Sequence, residues 1–128
     1  MRLVLTGEDR VRVEMAGDGF DIVAEGTTAV SPYHLLAGSL ASCTVLTLES
    51  WARSAGFDLR PLTIDVGWVH AETRPTRVTR IEMALRWPGL PPERIAAAER
   101  VADLCPIHAT LKRGTEVARH IETAPLER

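Results

Sequence analysis

Charge of one sign is in excess nowhere in this chain. Fifteen Lys and Arg face seventeen Asp and Glu, a net of −2 over 128 residues. That leaves no positive footprint of the kind that binds nucleic acid or an anionic membrane. Cysteine is scarce too: two residues are too few for the disulfide framework of a secreted domain, and suit reduced thiols in the cytoplasm. The opening Met1-Arg2-Leu3-Val4-Leu5-Thr6-Gly7-Glu8 meets acid at once, so no secretory leader is expected. The Gly-x-Ser-x-Gly elbow of serine hydrolases is absent, as are glycine loops that cradle phosphate. What is present, 45% apolar and 25% charged residues, is the balance of one folded domain over residues 1–128.

The most informative gap is local. From Gly26 to Leu48 there is no Asp, Glu, Lys or Arg, and only Tyr33, His34 and Cys43 can titrate. A membrane span needs about 20 strongly apolar residues. Here a pre-proline turn and scattered Ser, Thr and Gly argue instead for a buried helix. Ser31 suits its N-cap, Pro32 its first position and Gly56 its stop after Ala55. Small residues through Ala37-Gly38-Ser39-Leu40-Ala41-Ser42-Cys43-Thr44 let other backbones approach from every side.

Around that helix the periodicity is two. Leu3–Leu5 forms a short strand; Val11, Val13 and Met15 alternate with Arg12 and Glu14, and Phe20, Ile22 and Ala24 resume the pattern after Ala16-Gly17-Asp18-Gly19, whose Asp-Gly pair suits a hairpin turn. Leu62, Ile64, Val66 and Trp68 share one strand face, and Ile81, Met83, Leu85 and Trp87 another. Pro88-Gly89-Leu90-Pro91-Pro92 launches a second helix with Ile95, Ala98, Val101 and Ala102 inward; Pro106 breaks it or starts a short third. A last strand is expected over Thr115–Ile121. The order predicts an α+β fold with a mostly antiparallel, six-stranded sheet. One sheet covers one side of a charge-free helix, so a second copy of the chain is its natural cover.

Few side chains can carry chemistry. Cys43 sits mid-helix, where free cysteine often behaves as a small hydrophobe. Cys105 falls in Cys105-Pro106-Ile107-His108-Ala109-Thr110-Leu111; if Pro106 begins a helix, amide donors and the positive dipole end favour thiolate there. His108 follows Cys105 by three residues, one helix face. His34 lies nine residues before Cys43, and His70 and His120 read as surface strand positions. Cys43, Cys105 and His108 could bind zinc, although only Cys105 and His108 are closely spaced. Trp51, Trp68 and Trp87 read as core or interface filling.

The segment Ser31-Pro32-Tyr33-His34-Leu35-Leu36 … Leu40-Ala41-Ser42-Cys43-Thr44 resembles the Ser-Pro-x-x-Leu-Leu … Leu-Ala-x-Cys-Thr signature of the OsmC/Ohr family, the osmotically induced and organic hydroperoxide resistance proteins. Cys105-Pro106-Ile107-His108-Ala109-Thr110-Leu111 resembles its second segment, and the likeness covers nearly the whole chain. The resemblance implies an OsmC-like fold, an intertwined homodimer and a thiol peroxidase without cofactor or metal. Cys43 would attack an organic hydroperoxide and Cys105 would resolve the sulfenic acid as a disulfide, for a dithiol to reduce. Hydroperoxidase members carry a glutamate just after the motif proline and an arginine from the N-terminal strands. Here Tyr33 and His34 stand where the acid would be, and no arginine lies between Val13 and Ala52. Tyr33, His34 and His108 are therefore the candidate supporting residues, with Arg10 and Arg12 the candidate cations. The competing readings are a non-catalytic member binding a small apolar ligand at the dimer interface, and a metal-binding protein.

Overall fold

Alternation makes the N-terminal segment of the chain a meander. In the computed structural model, which describes residues 1–8, 10–23 and 30–125, β1 (Arg2–Leu5), β2 (Arg10–Met15) and β3 (Asp18–Val23) pair antiparallel in chain order. Met15 faces Asp18 across the hairpin, so the turn is Ala16-Gly17, not the Asp-Gly pair. Gly17 takes the positive φ, +86°. Gly19 is needed for a different reason: a Cβ there would collide with the Val13 carbonyl oxygen. Ala24, expected to continue β3, lies outside the described residues, as do residues 26–29 of the charge-free window.

The long helix runs as the caps predict. α1 spans Pro32–Ala55, with Ser31 at its N-cap and Gly56 in the left-handed conformation at its end. It is not enclosed on all sides within one chain. Ala37, Leu40, Thr44, Leu48 and Ala52 are buried, a single stripe at steps of three and four. Leu46 on another face is 64% exposed. The helix is long and apolar enough to cross a membrane by length and composition. Its buried stripe meets protein instead, because α1 packs on β4, α2 and α3.

β4 (Thr63–Ala71) and β5 (Arg77–Arg86) form a second antiparallel sheet. In β4 the inward face is Ile64, Val66 and Trp68, as the alternation requires. β5 departs from it. The register steps from Val69 opposite Arg80 to His70 opposite Val78, so Thr79 is a bulged extra residue. Its hydroxyl donates to the Val69 carbonyl at 3.2 Å. The bulge turns Thr79 and Arg80 outward together, and lets Val78 and Ile81, three apart, share the inner face.

A 3₁₀ turn (Pro92–Arg94) leads into α2 (Ile95–Ala102), and Pro106 opens α3 (Pro106–Arg113). Ala98 is buried as expected, but Ile95 is half exposed at the mouth of an apolar cavity. The expected last strand does not form. Residues 115–121 adopt no regular structure, and Val117 and Ile121 are exposed. A strand exists only by pairing, and neither sheet of the single chain pairs with this segment. Instead of one six-stranded sheet, the described residues hold two sheets, of three strands and of two.

Candidate functional site

Both thiols are free, and the helices bring them together. Cys43 is half-buried on the third turn of α1. Cys105 is completely buried at the N-cap of α3, in an extended conformation that Pro106 at the first helical position enforces. The Cys43 side chain lies beside Cys105. Burial pushes the Cys105 thiol up, but the neighbouring Cys43 side chain, the His108 and Ile107 amides and the Thr44 side chain together outweigh it. Cys105 is thereby held below the ordinary cysteine range. The Thr44 hydroxyl stands near Cys105, but it donates its one proton to the Leu40 carbonyl at 2.8 Å.

The structure pairs the two cysteines but takes Tyr33 and His34 elsewhere. They sit on the first turn of α1, about two and a half turns from Cys43. Tyr33 stacks on His70 with ring centroids 5.6 Å apart. His34 closes a capping box: its Nδ1 lies 3.1 Å from the Ser31 amide and 2.7 Å from the Ser31 hydroxyl. An Nδ1 that accepts the amide proton leaves the ring hydrogen on Nε2. The ring edge meets Trp68 at 4.9 Å between centroids. Here His34 does at the third helical position what Glu or Gln usually does.

His108 contributes its amide to Cys105, while its ring turns to Asp103, Nδ1 lying 3.9 Å from the carboxylate. Arg10 and Arg12 both pair with Asp21 across the β2–β3 hairpin, at 3.6 and 3.4 Å. Among the described residues no group of three or more His, Cys, Asp or Glu is arranged to hold a metal ion. Thr44 is the residue the sequence reading passed over. Its signal was its place after Cys43 on the small-residue face.

The family description for OsmC-like proteins matches residues 24–119. The chain belongs to the OsmC family. Solved structures agree on the fold. An osmotic-stress-induced and detoxification-response protein of Psychrobacter arcticus, so described provisionally, is 25% identical over 85% of each chain, with a TM-score of 0.74. The OsmC-like protein of Mycoplasma pneumoniae is 18% identical over 87% of this chain and 84% of its own, with a TM-score of 0.73. The organic hydroperoxide resistance protein OhrB of Bacillus subtilis is 20% identical over 85% of this chain and 88% of its own, with a TM-score of 0.62. No curated protein matches the sequence. The OsmC fold thus frames both cysteine segments, and the second falls with the first inside the matched region.

Proposed function

We propose that this OsmC protein is a cysteine-based thiol peroxidase that reduces organic hydroperoxides. The observation that carries the reading is the placement of a half-buried Cys43 beside a fully buried Cys105 whose thiol is held below the ordinary cysteine range. Only the thiol that peroxide can reach can attack, so Cys43 attacks and Cys105 resolves. Cys105, held below the ordinary cysteine range, is a poor base, so Cys43 gives its proton to solvent before it attacks.

The Cys43 sulfur then attacks the outer peroxide oxygen. An S–O bond forms as the O–O bond breaks, and the departing alkoxide takes a proton from solvent to leave as the alcohol. Cys43 is now a sulfenic acid and Cys105 a thiolate beside it. Cys105 attacks the Cys43 sulfur, a disulfide forms, and hydroxide leaves as water with a proton from solvent. A dithiol reductant returns the two electrons.

The working unit is a homodimer in the cytoplasm. The exposed Leu46 on α1, and Val117 and Ile121 of the unpaired 115–121 segment, support it, because a lone chain leaves all three in water. A non-catalytic reading has one observation in its favour, an apolar cavity of about 360 Å³ between α1, β5 and α2 lined by Leu48, Met83, Trp87 and Ile95. Free thiols counted before and after one equivalent of cumene hydroperoxide decide between the two. The peroxidase loses both thiols per chain; a binder loses neither.

A further inference from the structure

The inward face of α2 carries a charge. Ile95, Ala98 and Ala102 line the apolar cavity between α1, β5 and α2, and Glu99 lines it with them. Glu99 follows Ile95 by four residues and precedes Ala102 by three, the spacings that share one helix face. An apolar residue is the usual occupant of such a position. The two alanines stop at Cβ and leave space that Leu48 of α1 and Met83 of β5 do not fill. That space is about 360 Å³. Small-molecule sites run from about 300 to 1,000 Å³, so a short chain fits here and a long one does not.

Among the described residues, no other charged side chain lines this cavity, and Glu99 takes part in no ion pair. The nearest cations are committed or turned away. Arg94 lies over the Phe57 ring, 5.6 Å from its centroid, and Arg86 pairs with Asp65. Arg100 is the next residue of α2, about 100° around the helix from Glu99. Trp87, just past β5, completes the lining. Its indole N–H donates to the Asp58 carbonyl at 2.9 Å, and its ring meets Trp51 at 85°. The indole is thereby fixed, and it offers the cavity ring surface instead of a donor. A carboxylate without a cation and an indole ring both attract an ammonium group.

We propose that this cavity binds a short aliphatic ammonium compound, its chain among Leu48, Met83 and Ile95 and its charged head on Glu99 beside Trp87. A neutral apolar ligand would leave Glu99 unused, and an anionic one would be repelled by it. Neither cysteine lines the cavity. The inference therefore does not rest on the peroxidase reading, and the two can be tested apart.

Titrations of the full chain at neutral pH with hexylammonium, hexanol and hexanoate, followed by nuclear magnetic resonance at the Trp87 indole N–H, provide the test. Hexylammonium should bind about tenfold more tightly than hexanol, the ratio one charge-assisted hydrogen bond supplies, and hexanoate should bind most weakly. Glu99→Gln should bring hexylammonium down to the level of hexanol and leave hexanol unchanged. Ala102→Leu, which grows a side chain into the space, should weaken both, with circular dichroism as the check on folding. Equal binding of hexylammonium and hexanol, a preference that survives Glu99→Gln, or a response at Trp68 in place of Trp87 overturns the assignment. If hexylammonium is preferred but cumene hydroperoxide leaves both thiols intact, the cavity stands and the peroxidase reading falls. If the thiols are consumed and no preference for ammonium is seen, the reverse holds.

Discussion

The two halves of this chain bury their apolar residues by different means. In the body formed by α1, β4, β5, α2 and α3, the helix stripe from Ala37 to Ala52 closes on elements of the same chain. In the β1–β3 meander the alternation is equally regular, yet Leu3, Leu5, Met15 and Phe20 remain exposed, and burial concentrates on Val13, Ile22 and Val23. Among the described residues, the close backbone contacts of the meander are mainly between its own strands. Regular patterning thus says that a face is to be buried and is silent on whose surface buries it. The exposed side of α1 belongs with the meander in this respect. In the proposed dimer a second chain would cover both.

Two positions on one helix test this contrast most severely. Leu48 is 1% exposed and Leu46 64% exposed. Leu48→Ala should cost about 2–5 kcal/mol of folding stability, read as a lower denaturation midpoint with an unchanged denaturant slope. Leu46→Glu should leave the single-chain fold intact and abolish the dimer, because a carboxylate buried without a partner costs several kcal/mol. Analytical ultracentrifugation reads the second outcome directly. If Leu46→Glu stays dimeric, the interface lies elsewhere.

A smaller effect is expected at the thiols. Cys43→Ser keeps a hydroxyl donor beside Cys105, whereas Cys43→Ala removes it. Cys105 should therefore titrate at lower pH in the serine variant than in the alanine variant, followed by thiolate absorbance. The sign carries over to stability. The folded Cys105 value lies below the unfolded one, so its contribution is fully present above the ordinary cysteine value of about 8.5 and is lost as pH falls through the folded value. The smallest effect belongs to the cap. Ser31→Ala should cost about 1 kcal/mol, visible as a modest fall in Tm.

Much of this was legible in the sequence because the signals were local. Ser31, Pro32 and Gly56 gave α1 its ends, and the alternation gave β4 its inward face. The Asp18-Gly19 pair misled because turn chemistry fits Ala16-Gly17 as well, and the cross-strand register decides between them. The Thr79 bulge left no mark in composition; it appears only once β4 fixes the pairing. The 115–121 segment has strand periodicity but no strand, since pairing is a tertiary event. At the site, both cysteines were legible through their motifs. What escaped were His34 as a capping residue, hidden because Glu or Gln is the usual type there, and Thr44, whose place beside Cys105 depends on how α1 and α3 meet.

Pro106 has no amide hydrogen, so the first donors of α3 available to the Cys105 sulfur are those of Ile107 and His108. These donors favour the reduced, anionic sulfur over the same sulfur in a disulfide, where the charge is gone. A Cys43–Cys105 bond would therefore be more oxidising than an ordinary structural disulfide, and Cys105 would be its better leaving group. An incoming dithiol would meet least resistance by attacking Cys43 and expelling Cys105. In the proposed cycle the half-open position of Cys43 on α1 would serve twice, once for the peroxide and once for the electrons that restore it.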